Sequence, residues 1–336
     1  MRGIAEDHAT TAATELRTGR ALVTGCAGFI GSHLAERLVD DGWAVLGVDC
    51  FTRYYARDRK NENLERLRDD PAFALVERDL AEGGLEDLVE GVDVVFHLAG
   101  QPGVRGSFGE GFANYLRCNV LATQRLLEAC EHRPLRAFVY ASSSSVYGDA
   151  ERYPTRESDP CHPVSPYGMT KLATEALADT YRRTCGIPTI GLRYFTAYGP
   201  RQRPDMAFMR FIEAALAGEP LTVYCDGGQI RDFTYVADVV DGTLAAARRG
   251  APGRTYNLGG GCETRVADVV AMLRSLTGAS LAVRHAPGGR GDARRTTADG
   301  TLARRELAFV PRFDLATGLS AQLGWALQRR RSPVAA

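Results

Sequence analysis

Between residues 20 and 50 the chain carries a pattern that few folds can satisfy. A short apolar run, Arg20-Ala21-Leu22-Val23-Thr24, meets Gly25-Cys26-Ala27-Gly28-Phe29-Ile30-Gly31, then the amphipathic HLAERLVDDG, then a second apolar run, AVLGVDC. That is strand, glycine turn, helix, strand. Glycine at the first, fourth and seventh positions of the turn allows a tight bend and a close backbone approach. The free N–H groups at the helix start suit a pyrophosphate. Two strands joined through a helix run parallel, because a hairpin cannot connect them.

The alternation continues. Apolar stretches recur at 73–80, 92–100, 135–144 and 188–199, and helical stretches fall between most of them, notably 114–132 and 165–186. Short apolar strands alternating with helices predict an α/β fold with a doubly wound parallel sheet of Rossmann type, covered on both faces. After Pro200 the elements become short, mixed and rich in Gly and Arg, which predicts a smaller C-terminal α/β substrate lobe. The expected organisation is an arm at 1–19, a dinucleotide-binding domain at 20–199, a mainly substrate-binding lobe at 200–330 and a tail at 331–336.

Composition excludes several classes. The 41 Lys+Arg residues balance 41 Asp+Glu, so the net charge is zero and offers no field for nucleic acid or acidic membranes. No apolar run reaches the roughly 18 residues of a membrane span, and the polar start lacks a signal-peptide core. The eight cysteines are dispersed, without CxxC or Cys/His ligand spacing. They predict a reduced, cytoplasmic protein with no metal site.

The second strand ends at Asp49, eighteen residues after Gly31. A carboxylate there accepts hydrogen bonds from an adenosine ribose and repels a 2′-phosphate. Arg53 and Arg57 would suit NADP, but they follow the strand end, so NAD is favoured. Further on, Ser165-Pro166-Tyr167-Gly168-Met169-Thr170-Lys171 puts Tyr167 and Lys171 on one helix face, with Ser165 as N-cap and Pro166 in the first turn. A helix N-terminus and a nearby ammonium both favour a phenolate, which an ordinary Tyr near pKa 10 does not form at neutral pH. A surface Tyr/Lys pair is the bland alternative. Against it, only Lys60 and Lys171 are lysines among the 41 basic residues. A compact, titratable ammonium at 171 does what Arg cannot. Upstream, Ala141 and the serines 142–145 close a strand with four hydroxyls at the sheet edge where ligands bind in such folds.

Taken together, GxxGxxG, the Asp-ended strand, Asp79-Leu80, His97-Leu98-Ala99-Gly100, SSSSVYG and YxxxK resemble the extended short-chain dehydrogenase/reductase superfamily. Within it the chain is most similar to nucleotide-sugar 4-epimerases of the UDP-glucuronate type, from about Arg20 to Leu327. The resemblance implies that Ser143 partners Tyr167 and Lys171 in catalysis. It implies that Gly25, Gly28, Phe29, Ile30, Gly31, Asp49, Asp79, Leu80, Leu98, Ala99 and Tyr194 join Tyr167 and Lys171 around a tightly bound, recycled NAD. A homodimer packed through helices 112–132 and 165–185 is also implied.

The resemblance further separates reactions. Dehydratases typically carry Asp and Glu after the catalytic Ser/Thr, and decarboxylases a Glu at the second of these positions. This chain has Ser144 and Ser145, so it is expected only to oxidise and re-reduce. Thr196 stands where galactose-type epimerases commonly have Asn, and Arg203-Pro204-Asp205-Met206-Ala207 is typical of uronate epimerases. By that likeness Thr196, Arg203, Ser144 and Ser145 hold a sugar carboxylate, for which hydroxyls and a guanidinium are suited. Likewise Tyr224 resembles a uracil platform, Arg231 a diphosphate contact, and Asp292 with Arg294 contacts to ribose and phosphate. The implied activity is NAD-dependent C4 epimerisation of UDP-glucuronate. The competing readings are a UDP-glucose/galactose 4-epimerase, a decarboxylase or 4,6-dehydratase, and a non-enzymatic NAD-sensing regulator. The intact Tyr167/Lys171 pair argues against the last.

Overall fold

The computed structural model describes residues 18–278 and 280–331. Most of the expected arm and all but Arg331 of the expected tail lie outside the described residues.

The strands in chain order are β1 (Arg20–Thr24), β2 (Ala44–Asp49), β3 (Phe73–Glu77), β4 (Val94–His97), β5 (Ala137–Ser143) and β6 (Thr189–Tyr194). There follow β7 (Thr196–Tyr198), β8 (Leu221–Tyr224), β9 (Ile230–Tyr235), β10 (Thr255–Leu258), β11 (Glu263–Arg265), β12 (Val283–Ala286) and β13 (Arg295–Thr296). The main sheet has seven strands in the order β3-β2-β1-β4-β5-β6-β10, all parallel. Both faces are apolar. In β1, Ala21 and Val23 pack into one buried cluster and Leu22 into the other. Such two-sided burial makes the strand sequences continuous apolar runs rather than alternating ones.

The order reverses between β1 and β4, and a crevice opens at their carboxyl ends. The chain steps directly from β6 through Phe195 into β7, which pairs with β9 in a small four-stranded sheet also containing β11 and β13. That sheet packs on a separate core that includes Tyr198, Phe208, Ile212, Phe233 and Leu319. The chain then returns to the main sheet. Helix Val236–Arg249 packs Val239 and Leu244 into the main-sheet core, and β10 becomes the seventh strand. The small lobe is therefore threaded through the large one, which fixes the two walls of the cleft. No helix among the described residues is long and apolar enough to cross a membrane.

Candidate active site

One cleft of about 830 Å³ runs along the carboxyl edge of the main sheet and under the small lobe. Its floor begins at the glycine turn. Gly25 has φ +72°, and a Cβ there would lie 2.9 Å from the Ala99 nitrogen across the β1/β4 crevice. A Cβ at Gly31 would lie 2.1 Å from the Gly25 oxygen. At Gly28 the only atom approached is the Gly25 oxygen, at 3.0 Å, so its other side is open. Gly28 caps helix Phe29–Asp40 without a side-chain bond, which leaves the first-turn N–H groups for a ligand. The cradle fits a dinucleotide pyrophosphate.

Asp49 ends β2 almost fully buried. Its Oδ1 accepts from the Phe51 nitrogen at 2.7 Å and from Lys60 Nζ at 3.2 Å. Lys60 is 5% exposed, so both of the chain's lysines line this cleft. Sequence reasoning passed over Lys60, although the scarcity that singles out Lys171 applies equally to it. Arg57 donates to Glu77 at 2.8 Å and does not line the cleft. Asp79, Leu80, Leu98 and Ala99 line the adjoining wall, with Asp79 accepting from the Ala81 nitrogen at 2.9 Å.

Helix Pro166–Cys185 delivers the Tyr/Lys pair. Ser165 caps it, accepting from the Gly168 nitrogen at 3.1 Å, and Pro166 opens the first turn. Burial pushes the Tyr167 phenol up; the Ser143 hydroxyl, hydrogen-bonded to it, and then the Arg203 guanidinium act the other way. The sequence points instead to the helix N-terminus and the ammonium of Lys171 for that role. Lys171 Nζ donates to the Ala141 carbonyl at 3.0 Å, and burial pulls its pKa down to about 8 against the opposing charge of Glu175. Ser143, Ser144, Ser145 and Tyr194 line the same wall.

Asn119 is a second residue missed from the sequence. A π-helical turn, Leu116–Leu121, interrupts the helical stretch and turns Asn119 inward. Its amide accepts from the Gln101 nitrogen at 2.6 Å and donates to Thr170 Oγ1 at 3.0 Å. The loop after β4 is thereby tied to the Tyr/Lys helix.

Thr196 and Arg203 also line the cleft. Arg203 donates from Nε and Nη2 to the two oxygens of Asp205, at 3.0 Å each, and Tyr54 donates to Asp205 at 3.0 Å. Tyr224, Arg231 and Asp292 line it as well. Arg105 lies 3.5 Å above the Tyr224 ring and pairs with Asp292, a placement with no local sequence signal. The Arg231 guanidinium is held by two carbonyls, Ile230 and Arg294, and burial lowers its pKa. Arg294 is the one sequence-predicted residue that does not line the cleft. Its guanidinium is exposed beside Asp226.

Comparison with known proteins agrees with this geometry. Residues 21–259 match the NAD dependent epimerase/dehydratase family. The uncharacterised UDP-glucose epimerase YtcB of Bacillus subtilis is 42% identical, covering 91% of this chain and 97% of its own. UDP-glucuronate 4-epimerase 3 of Arabidopsis thaliana is 37% identical, over 97% of this chain and 81% of its own. The crystal structure of UDP-glucuronic acid 4-epimerase from Bacillus cereus, in complex with UDP-glucuronic acid and NAD, superposes with a TM-score of 0.90. It is 40% identical, covering 92% of this chain and 99% of that one.

Proposed function

The chain belongs to the NAD-dependent epimerase/dehydratase family, and we propose that within it the protein inverts C4 of UDP-glucuronate to give UDP-galacturonate, keeping the carboxylate. The observation that carries the reading is that Arg203 and Thr196 share one cleft wall with Tyr167, while Ser144 and Ser145 stand where a lyase would place acids.

NAD, when bound, would supply a reversible hydride acceptor for C4. Gly25, Gly28 and the start of helix Phe29–Asp40 would hold its pyrophosphate, and Asp49 its ribose. Tyr167 takes the C4 hydroxyl proton and later gives it back. Ser143 orients the phenol, and Lys171 holds positive charge beside the cofactor. Arg231, Asp292 and Tyr224 retain the nucleotide while the sugar swings about the diphosphate; Arg294 remains on the rim of that group. Arg203, Thr196, Ser144 and Ser145 hold the carboxylate in the plane of the C4 carbonyl. In that orientation the C5–C6 bond does not overlap the carbonyl π system, so carbon dioxide is not lost from the β-keto acid.

The same reading includes a homodimer in the cytoplasm. Leu116, Leu121 and Met169 are exposed on the helical segments expected to pair, and all eight cysteines are free thiols. The name of the Bacillus subtilis relative favours a second reading, epimerisation of neutral UDP-glucose. NMR of the product formed from each sugar tests the choice. UDP-galacturonate formed without gas is expected; turnover of UDP-glucose alone overturns the reading.

A further inference from the structure

Arg203 already has a carboxylate. Asp205 takes its Nε and one Nη2 hydrogen in a two-point contact, and the arrangement is itself braced. Tyr54, on the loop that follows β2, donates its hydroxyl to Asp205 Oδ2. That hydroxyl fits because the facing residue is Gly103, φ +100°, where a Cβ would come within 2.6 Å of it. Tyr115 in turn fixes the Gly103 loop by donating to the Gly103 carbonyl at 2.7 Å. The Arg203 side chain is 19% exposed and lines the cleft.

A guanidinium carries five N–H donors in a rigid fork and can engage two carboxylates, one along the Nε/Nη2 edge and one along the Nη1/Nη2 edge. With the first edge committed to Asp205, the second remains for a ligand. A long arginine side chain without this anchor has many rotamers to give up on gripping an anion.

We propose that Asp205, braced by Tyr54, is a positioning residue that fixes the plane of Arg203, so that the uronate carboxylate is held in the orientation that prevents its loss. This rests on the reading of the substrate as UDP-glucuronate. The failure guarded against is specific. In the 4-keto intermediate, a carboxylate turned out of the carbonyl plane lets the C5–C6 bond break. Carbon dioxide leaves, the electron pair stays on C5 as the C4 enolate, and a solvent proton adds there to give a UDP-4-keto-pentose. Asp205 also offsets the charge of Arg203, so removing it frees charge for the uronate while loosening the side chain that grips it. The two effects oppose in binding, whereas only the loosening acts on fidelity.

The test uses the whole enzyme with carboxyl-labelled UDP-glucuronate, measuring label released as carbon dioxide against UDP-galacturonate formed. Bound NAD and the unfolding midpoint report on the fold. Asp205→Asn is expected to keep NAD and still turn over the substrate, while the fraction lost as carbon dioxide rises at least about tenfold, the scale of a small misorientation of reacting groups. Asp205→Glu should restore most of the fidelity, and Tyr54→Phe should raise the loss in the same direction but less. An Asp205→Asn enzyme with the wild-type carbon dioxide fraction overturns the proposal, as does a Glu variant no better than Asn. Should Asp205→Asn fail to fold, Tyr54→Phe decides, with an unchanged fraction counting against it. A wild-type enzyme that leaves UDP-glucuronate untouched overturns the substrate reading itself, whatever the variants do.

Discussion

Arg193 and Glu175 form a two-point ion pair, Nε to Oε1 at 2.9 Å and Nη2 to Oε2 at 2.7 Å, one helical turn beyond Lys171. Both are nearly buried. Arg193 also donates to the Tyr147 hydroxyl at 2.7 Å, which continues to Asn257 of β10 at 2.7 Å. The pair thus ties the Tyr/Lys helix to β6 and the outermost strand of the main sheet. It also leaves Glu175 partly neutralised behind the ammonium of Lys171.

Breaking that pair from one side leaves an unpaired charge. Glu175→Gln is predicted to cost about 3 kcal/mol or more of stability, because the desolvated Arg193 loses its counter-ion. The double replacement Glu175→Gln with Arg193→Met should cost less than the two single changes summed. Denaturant midpoints of the three variants give the coupling, and strict additivity would mean that the two residues do not act as a pair.

His97 supplies a pH dependence. It bonds to Thr24 Oγ1 at 2.8 Å and to Thr123 Oγ1 at 2.9 Å, and burial, with Lys171 next, lowers its pKa from 6.5 to about 3. The unfolded chain therefore takes up a proton below about 6.5 that the native one refuses. The contribution is complete above pH 6.5 and is lost as pH falls towards 3. His97→Gln, which keeps an amide between the two threonines, should unfold with a shallower loss over that window. Parallel curves for wild type and variant would contradict the assignment.

The layout around β1 is legible in the sequence because its signals are local. Glycine spacing, strand runs and the Ser165 cap each act within a few residues. Tyr167 and Lys171 follow from helix geometry alone. Asn119 does not, because it is turned inward to join Gln101 to Thr170 within a π-helical turn that no spacing announces. Arg105, Asp205 and Tyr54 come from loops brought together by packing between the lobes. The membership of β10 in the main sheet is likewise tertiary: short strands after residue 200 carry the same apolar signature whichever sheet they join. Arg294 follows Asp292 closely in sequence, yet its side chain leaves the cleft while Asp292 faces it.

Tyr167→Phe should abolish turnover and leave cofactor content intact, since the phenol is lost and the ring stays. The expected loss exceeds about a hundredfold, the usual worth of a general base. Near-normal activity in the variant would take Tyr167 out of the chemistry.

Asp49→Ala removes the proposed ribose acceptor and also the counter-ion of Lys60. The purified variant should retain less NAD and accept NADP better than wild type, because a freed ammonium then faces the 2′ position. Unchanged cofactor content and preference would place the ribose elsewhere.

The central claim is that the cleft is built for a sugar carboxylate, and Arg203 tests it most directly. The measurement is kcat/KM of Arg203→Ala and wild type on UDP-glucuronate and on UDP-glucose. Removing a charged, two-point hydrogen-bonded pair from a desolvated site costs about 2–4 kcal/mol, which is roughly 30- to 1000-fold in efficiency. A drop of that size is expected on UDP-glucuronate, with little change on UDP-glucose and a UDP-pentose by-product. Equal, small effects on both sugars with no pentose would contradict the claim and make the neutral-sugar epimerase the better description.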